Sequence, residues 1–235
     1  PGQLAPFKSV IGILVSDRGF KQPLFYWQNM DGNIVGAQYK YIKDNVCQKR
    51  FLKNTDRSNS LWMTPIEGSK ALFVTEDPLD AIAHSQLFPG ARDAYFCTGG
   101  TSTKAQREMI SFSQKFKLPI ILGNDNDLAG QLENFKLALH TANIEYAINS
   151  KTQRVLLTVN GAEREWGKDE IVAALQAVMK QRPNIILSIP WAKDWNDDLR
   201  SSKKSISLRI AENMARVQIE TTKSEQRGVI AGKLP

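Results

Sequence analysis

The chain has 235 residues, 42% of them hydrophobic, which fits a globular protein of one or two domains and excludes an intrinsically disordered chain. With two cysteines and two histidines it has no disulfide framework and no histidine- or zinc-type metal centre, so any metal would be held by carboxylates. The net charge of +7 favours polyanionic partners, nucleic acid first, although ordinary solubility explains it equally well.

Residues 1–66 read as short strands followed by a basic stretch. The runs "PLFYWQ" and "IVGAQYKYI" flank Asp31-Gly32, which is a hairpin signal. Basic side chains then alternate with aromatic ones, as in surfaces that bind nucleic-acid strands or nucleotide phosphates. A solvated sheet face with extended lysines is the alternative. The basic residues are Lys40, Lys43, Lys49, Arg50, Lys53 and Arg57.

From residue 70 the pattern alternates between apolar strands and helices. Predicted strands are "KALFVTE", "DAYFCTGG" and "LPIILGND"; predicted helices are "DPLDAIAHSQLF", "TKAQREMISFSQKF" and "LAGQLENFKLALHTA". This alternation predicts an α/β fold with a parallel sheet and right-handed crossovers. In such sheets the ligand site lies beyond the carboxyl ends of the strands.

The rest of the chain is less regular. Between about residues 145 and 183 the sequence predicts an insertion, with a hairpin in "IEYAINSKTQRVLLTVNG" and a helix in "KDEIVAALQAVMKQ". The run "NIILSIP" predicts a further strand, and "SISLRIAENMARVQIE" predicts a last helix before a polar tail. No apolar run reaches the roughly 18 residues of a membrane helix and no signal peptide is visible, so we expect a cytoplasmic protein.

Acidic residues follow three of the predicted strands. Glu76 and Asp80 follow the first, Asp125 and Asp127 another, and Asp194 the last. Parallel strands would bring these carboxylates to one edge, where they repel unless a cation such as Mg²⁺ or Mn²⁺ lies among them. A spacing of two along a strand or its extension would turn Asp125 and Asp127 the same way. Singly, Glu76 and Asp127 could instead cap helices, and Asp194 could be a turn residue.

The acidic blocks resemble those of the Toprim family, shared by bacterial-type primases, topoisomerases and some nucleases. Primases of that family carry an E-G-x-x-D block, and "TEDPLD" keeps Glu76 and Asp80 at that spacing with Asp77 in place of the glycine. They carry D-G-D-x-A-G, and "DNDLAG" keeps Asp125 and Asp127 with asparagine between them.

The catalytic core of bacterial-type (DnaG-like) primases, of the kind found in plasmid and mobile-element proteins, is the most similar member. Its K-D-P-D block resembles Lys193-Asp194, with Asn196 where the second acid stands, and "TGGT" resembles a glycine-threonine turn of the family. Upstream, "PLFYWQNMDGNIVGAQYKYI" and "KRFLKN" resemble the basic N-terminal subdomain of that core.

The resemblance implies a domain plan and a set of site residues. The plan is a small, mixed or β-rich basic subdomain at 1–66, a Toprim-like parallel sheet flanked by helices at 67–200, and a C-terminal helix and tail at 201–235. The implied catalytic residues are Glu76, Asp125 and Asp127, and Asp80 and Asp194 complete the set of ligands for Mg²⁺ or Mn²⁺. The implied nucleic-acid or nucleotide contacts are Lys40, Lys49, Arg50, Lys53, Arg57 and Lys193.

Primer synthesis is the function that the resemblance implies. A metal-dependent nucleotidyltransferase would use single-stranded DNA and nucleoside triphosphates, in replication or mobilisation of DNA, with a helicase or zinc-binding domain in the same or another chain as a further partner. A metal-dependent nuclease is an alternative. A non-catalytic nucleic-acid-binding module of a larger mobile-element protein is another. A topoisomerase fits poorly, because none of the five tyrosines lies in the context of a nucleophile.

Overall fold

A computed structural model describes residues 2–100, 103–142, 144, 146–149, 155–159, 162–180, 182 and 184–202. The predicted last helix and polar tail lie outside these residues. The strands are β1 (Ile11–Val15), β2 (Lys21–Gln28), β3 (Ile34–Lys43), β4 (Val46–Phe51), β5 (Trp62–Met63), β6 (Ala71–Thr75), β7 (Asp93–Cys97), β8 (Ile120–Leu122), β9 (Tyr146–Asn149), β10 (Val155–Val159), β11 (Ala162–Trp166) and β12 (Ile185–Leu187). The α-helices are α1 (Pro78–Leu87), α2 (Thr103–Phe116), α3 (Leu128–Ala142), α4 (Lys168–Lys180) and α5 (Trp195–Ser201).

Strands β1 to β4 form an antiparallel sheet in chain order, after a short 3₁₀ helix at Gly2–Phe7. The predicted hairpin is present between β2 and β3. Its turn is closed by Asn29, whose Oδ1 accepts hydrogen bonds from the backbone N–H groups of Asp31 and Asn33, while Gly32 has a φ of +82°. A residue other than glycine is strained at such a φ, which explains the Asp-Gly signal.

The second sheet is mixed and has the order β12-β8-β6-β7-β5. Strands β12, β8, β6 and β7 are parallel, as predicted, and every residue of the central strand β6 is buried. The prediction of a purely parallel sheet is corrected at one edge, where the two-residue strand β5 pairs antiparallel with β7. Strand β5 lies before residue 66. This sheet therefore contains residues from both the predicted N-terminal subdomain (1–66) and the predicted parallel-sheet domain (67–200).

The predicted insertion contains a second antiparallel sheet of order β11-β10-β9, followed by α4. The β9–β10 pair confirms the predicted antiparallel pairing in "IEYAINSKTQRVLLTVNG". Strand β11 was not predicted, because its residues "AEREW" carry too few apolar side chains to indicate a strand.

The strand order creates a switch point between β6 and β8. From β6 the chain crosses to β7 on one side, and it then returns past β6 to place β8 on the other side. The two crossovers leave in opposite directions, so a crevice opens at the carboxyl ends of β6 and β8. Glu76 follows β6 and Asp125 follows β8, so both lie at this crevice.

The two larger sheets share a buried aromatic cluster. Trp62 of β5 packs edge-on against Phe25 of β2, and its indole N–H donates to the carbonyl of Val10 at 3.0 Å. Phe73 of β6 contacts Trp195 of α5, whose indole N–H donates to the carbonyl of Gly123 at 2.8 Å. These contacts join the first sheet to the β5 edge of the second sheet and pack α5 against β6. Among the described helices, none is long and apolar enough to cross a membrane.

Candidate active site

Glu76 lies just after the end of β6 and faces the ammonium group of a lysine. Lys49 of β4 approaches it, with Nζ 3.1 Å from Glu76 Oε1. The turn after β7 packs behind it, since Gly99 N donates to the Glu76 carbonyl and a Cβ on Gly100 would lie 3.2 Å from Oε1. Glu76 does not cap α1, because the N-cap residue is Asp77. The capping alternative is therefore wrong for Glu76.

Asp77 also belongs to this site, although no sequence motif assigns it a role. Its Oδ1 accepts the N–H of Leu79 at 3.0 Å, and its Oδ2 accepts from the buried ammonium of Lys40. Lys49 Nζ lies 3.7 Å from the same Oδ2. An aspartate directly before Pro78 is an N-cap signal that identifies the Leu79 contact. The contact to Lys40 has no sequence signal, because it joins residues 37 positions apart.

Asp125 lies half-buried in the loop between β8 and α3. Burial, then the charges of Glu76, Asp194 and Asp127, raise the pKa of Asp125 from 3.8 to about 7, and Lys193 opposes the rise. Among the described residues its Oδ1 is one of the buried oxygens without a hydrogen-bond partner. A buried carboxylate oxygen without a partner is costly, so this position favours either a proton or a cation.

Asp125 and Asp127 lie beyond the end of β8, so strand pairing does not fix the directions of their side chains. Strand β8 ends at Leu122, and the buried side chain of Asn124 then donates to Asn134 of α3 at 2.9 Å. The chain turns toward α3 at this point, and Gln131 Nε2 donates to the Asp125 carbonyl at 2.9 Å.

Asp127 and Asp194 both act as helix caps. Asp127 Oδ1 accepts from Gly130 N at 2.9 Å, and Asp194 Oδ1 accepts from Asp197 N at 2.8 Å. The capping alternative is thus confirmed for Asp127, and the turn reading of Asp194 becomes an N-cap of α5. A carboxylate has two oxygens, and each cap occupies one of them, so capping does not prevent a role as metal ligand.

Asp80 lies in the first turn of α1 and links it to α5. Its Oδ1 accepts a hydrogen bond from Asn196 Nδ2 at 2.6 Å. Burial, then the charges of Asp77, Asp125 and Asp194, raise the pKa of Asp80 from 3.8 to about 8. Asn196, which stands where the resembling motif has an acid, is therefore the hydrogen-bond partner of another acid of the cluster.

The donors at the crevice are hard carboxylate oxygens, which divalent cations such as Mg²⁺ prefer, but the carboxylates do not surround one point. Within the part of the chain that the structure describes, no three acidic, histidine or cysteine side chains are arranged to hold an ion. Burial raises the pKa of Asp80 and Asp125, and repulsion by neighbouring acids raises it further, so the acids lie within electrostatic reach of each other. The unpartnered Asp125 oxygen and the hard carboxylate donors around it match the preference of Mg²⁺ and Mn²⁺.

The predicted basic contacts separate onto two faces of the first sheet. Lys40 and Lys49 are paired across β3 and β4 and point to the acidic side, whereas the neighbouring pair, Tyr39 and Arg50, points the opposite way. Arg50 lies over the ring of Tyr41 at 5.5 Å, on the face of the sheet away from Lys40 and Lys49. Lys40 is only 8% exposed and paired with Asp77, which corrects its assignment as a nucleic-acid contact.

The remaining basic residues are differently placed. Arg57 lies over the Phe51 ring at 4.5 Å, and Phe51 reaches the Gly99 turn behind Glu76. Lys193 is exposed beside the Asp125 loop, since its carbonyl accepts from Asn126 N at 2.7 Å. Lys53 is exposed in the turn after β4, and its role as a contact stays a prediction.

The raised carboxyl pKa values predict an unusual pH dependence of the metal-free protein. Asp80 and Asp125 bind protons more tightly when folded than when unfolded, so their stabilising contribution is present below their ordinary pKa of 3.8. It is lost as the pH rises through about 7 and 8. Urea unfolding with a chelator should show this decline, and Asp80→Asn should reduce it. If the free energy of unfolding depends on pH in the same way in wild type and in Asp80→Asn, the raised pKa of Asp80 is contradicted.

Comparisons with known proteins found similar solved structures only. Neither a protein-family model nor a curated protein sequence matches the chain. The primase fragment of the bacteriophage T7 primase-helicase protein is 15% identical, with 87% of this chain and 68% of that chain covered and a TM-score of 0.48.

Two further structures are also primases. The DnaG catalytic core is 13% identical, with 91% of this chain and 58% of that core covered and a TM-score of 0.44. The RNA polymerase domain of Mycobacterium tuberculosis primase DnaG, in complex with double-stranded DNA, is 14% identical, with 96% and 76% covered and a TM-score of 0.36. At these TM-scores and identities, the likeness carries no conclusion about the activity of this chain.

Proposed function

We propose that this chain is a primase-like, metal-dependent nucleotidyltransferase of Toprim type that synthesises short primers on single-stranded DNA. One observation carries the proposal. Glu76 and Asp125 lie at the carboxyl ends of β6 and β8, on either side of the switch point, and Asp125 has a buried oxygen without a partner. The resemblance of "TEDPLD", "DNDLAG" and Lys193-Asp194 to primase motifs supports the same reading.

Glu76, Asp125 and Asp127 are the proposed ligands of Mg²⁺ or Mn²⁺, with Asp194 and Asp80 completing the set. When bound, such an ion neutralises a triphosphate, lowers the pKa of an attacking 3′-hydroxyl and stabilises the charge on the leaving pyrophosphate. The cap made by Asp127 and the cap made by Asp194 hold these carboxylates at the starts of α3 and α5.

Two lysines are placed to act on the anionic substrate. Lys49 lies beside Glu76, where its ammonium would contact phosphate oxygens of an incoming nucleotide. Lys193 lies beside the Asp125 loop on the other side of the crevice and would contact the template or primer backbone. Asp80 and Asn196 hold α5 against α1, and so fix the segment that carries Lys193 and Asp194.

Neutralising the site lysines should change the salt dependence of single-strand binding. Lys49→Gln with Lys193→Gln should flatten the slope of log K against log salt by about 0.7 per lost phosphate contact on single strands. Lys70→Gln is the matched control, because the exposed Lys70 lies just before β6, at the amino-terminal ends of the parallel strands and away from the acidic carboxyl ends. Fluorescence-anisotropy titrations at several salt concentrations measure the slope. Equal slopes for the double variant and wild type would mean that neither lysine contacts the bound strand.

Product analysis tests the proposed reaction against its alternatives. The protein would be incubated with single-stranded DNA, labelled ribo- and deoxynucleoside triphosphates, and Mg²⁺ or Mn²⁺. Short labelled products support primer synthesis, and they should be absent with a chelator. A shortened template would instead indicate the nuclease, and binding without either product would indicate the non-catalytic module. If the chain needs a helicase or zinc-binding domain to select a start site, a primed template should bypass that need.

A further inference from the structure

The ammonium of Lys49 lies between two carboxylates with different surroundings. It is 3.1 Å from Glu76 Oε1 and 3.7 Å from Asp77 Oδ2. Both distances are within the range of an ion pair, so a small rotation of the long lysine side chain exchanges one partner for the other. Burial opposes the charge of Lys49, but Asp77, then Glu76 and Asp125, raise its pKa, so the ammonium stays charged near either carboxylate.

Glu76 and Asp77 are not equivalent partners. Asp77 is fixed, because one oxygen accepts the N–H of Leu79 and the other accepts from Lys40. Its side chain is 13% exposed and that of Lys40 10%, so this pair is shielded from solvent. The side chain of Glu76 is 30% exposed, and its ion-pair partner is Lys49. Glu76 can therefore change partner, whereas Asp77 cannot leave its position.

We propose that Asp77 is a positioning residue that receives the Lys49 ammonium when Glu76 binds a divalent cation. This inference rests on the proposed function. Without Asp77, Lys49 would have to remain on Glu76 and compete with the cation, or leave the site. With Asp77, the lysine withdraws by a short distance and stays at the crevice, where it can contact substrate phosphate.

A mutant cycle on cation affinity tests this exchange. Lys49→Met would be made in wild type and in an Asp77→Asn, Lys40→Met background, in which asparagine keeps the helix cap and methionine avoids a buried unpaired ammonium. Electron paramagnetic resonance counts free Mn²⁺ and gives the Kd of each protein, independently of activity. Lys43→Met is the matched control, since Lys43 is exposed at the end of β3 and pairs with Val46.

In wild type, Lys49→Met should change the Mn²⁺ Kd by no more than about twofold, because Asp77 already relieves the competition. In the background without Asp77, Lys49→Met should tighten Mn²⁺ binding by about tenfold, because the lysine there competes for Glu76. In Asp77→Asn with Lys40 retained, Lys49→Met should tighten Mn²⁺ binding as well, because Asp77 is again absent. Thermal melts verify that each variant folds.

Equal ratios in the two backgrounds would overturn the exchange and leave Asp77 as a helix cap and a partner of Lys40 only. That result would leave the proposed function intact, since wild type would still bind Mn²⁺. A wild-type protein that binds no Mn²⁺ would instead contradict the proposed function, and the exchange with it.

Discussion

Asp125→Asn with Asp127→Asn is expected to abolish metal-dependent chemistry while the fold remains intact. Asparagine keeps the cap that Asp127 makes to Gly130, because its side-chain oxygen can accept the same hydrogen bond. Removing the Asp125 charge relieves its repulsion with Glu76 and Asp194, so the metal-free variant should be at least as stable as wild type. Mg²⁺ should raise the melting temperature of wild type through ligand linkage and should not raise that of the variant.

Asp127→Ala separates capping from metal binding at the same position. Loss of the cap should lower the free energy of unfolding by about 1 kcal/mol, with or without metal. Asp127→Asn should avoid most of that loss but still weaken the response to Mg²⁺. If Mg²⁺ shifts the melting temperatures of wild type and the double asparagine variant equally, these aspartates are not its ligands.

Gly130→Ala should damage both the fold and the site. A Cβ on Gly130 would lie 2.2 Å from the backbone oxygen of Asp125 and 2.7 Å from its nitrogen, so either α3 or the Asp125 loop must move. Alanine gains about 1 kcal/mol in helix propensity over glycine. A clash with backbone atoms costs about 1–3 kcal/mol or more. The clash should win, with a lower melting temperature and a weaker Mn²⁺ affinity.

Gly90→Ala is the control for that substitution. Gly90 has open space where a Cβ would stand and lies in the turn between α1 and β7, away from the Asp125 loop. It should leave the melting temperature and Mn²⁺ affinity close to wild type. A stable Gly130→Ala with unchanged Mn²⁺ affinity would mean that close approach of α3 to the loop does not position Asp125.

The sequence pattern predicted the elements whose signals are local and long. Helix α2 occupies Thr103–Phe116, as its amphipathic periodicity indicates, and α3 occupies Leu128–Ala142, the segment predicted as a helix. The hairpin at Gly32 follows from its Asp-Gly turn. Strand β5 could not be predicted, because a two-residue strand has no periodicity and is defined by pairing with β7. The order of strands in the sheet likewise depends on tertiary packing.

At the site, the sequence predicted which acids follow the strands but not their hydrogen-bond and ion-pair partners. Strand alternation places Lys49 and Arg50 on opposite faces of the first sheet. Which of the two faces the acidic residues depends on the register of β4, and an exposed basic stretch does not reveal that register. Burial of Lys40 was also missed, because a lysine is seldom buried unless a specific carboxylate pairs with it. That carboxylate belongs to Asp77, which stands where the resembling motif has a glycine, so the motif indicated no role for it.

The most direct test of the account is the position of a bound Mn²⁺ ion. Crystals grown with Mn²⁺ and examined by anomalous diffraction should contain a peak at the carboxyl ends of β6 and β8, coordinated by Glu76, Asp125 and Asp127, and Asp125→Asn with Asp127→Asn should remove it. A peak that persists in the double variant, or that lies away from these three carboxylates, would contradict the proposed metal site and the nucleotidyltransferase built on it.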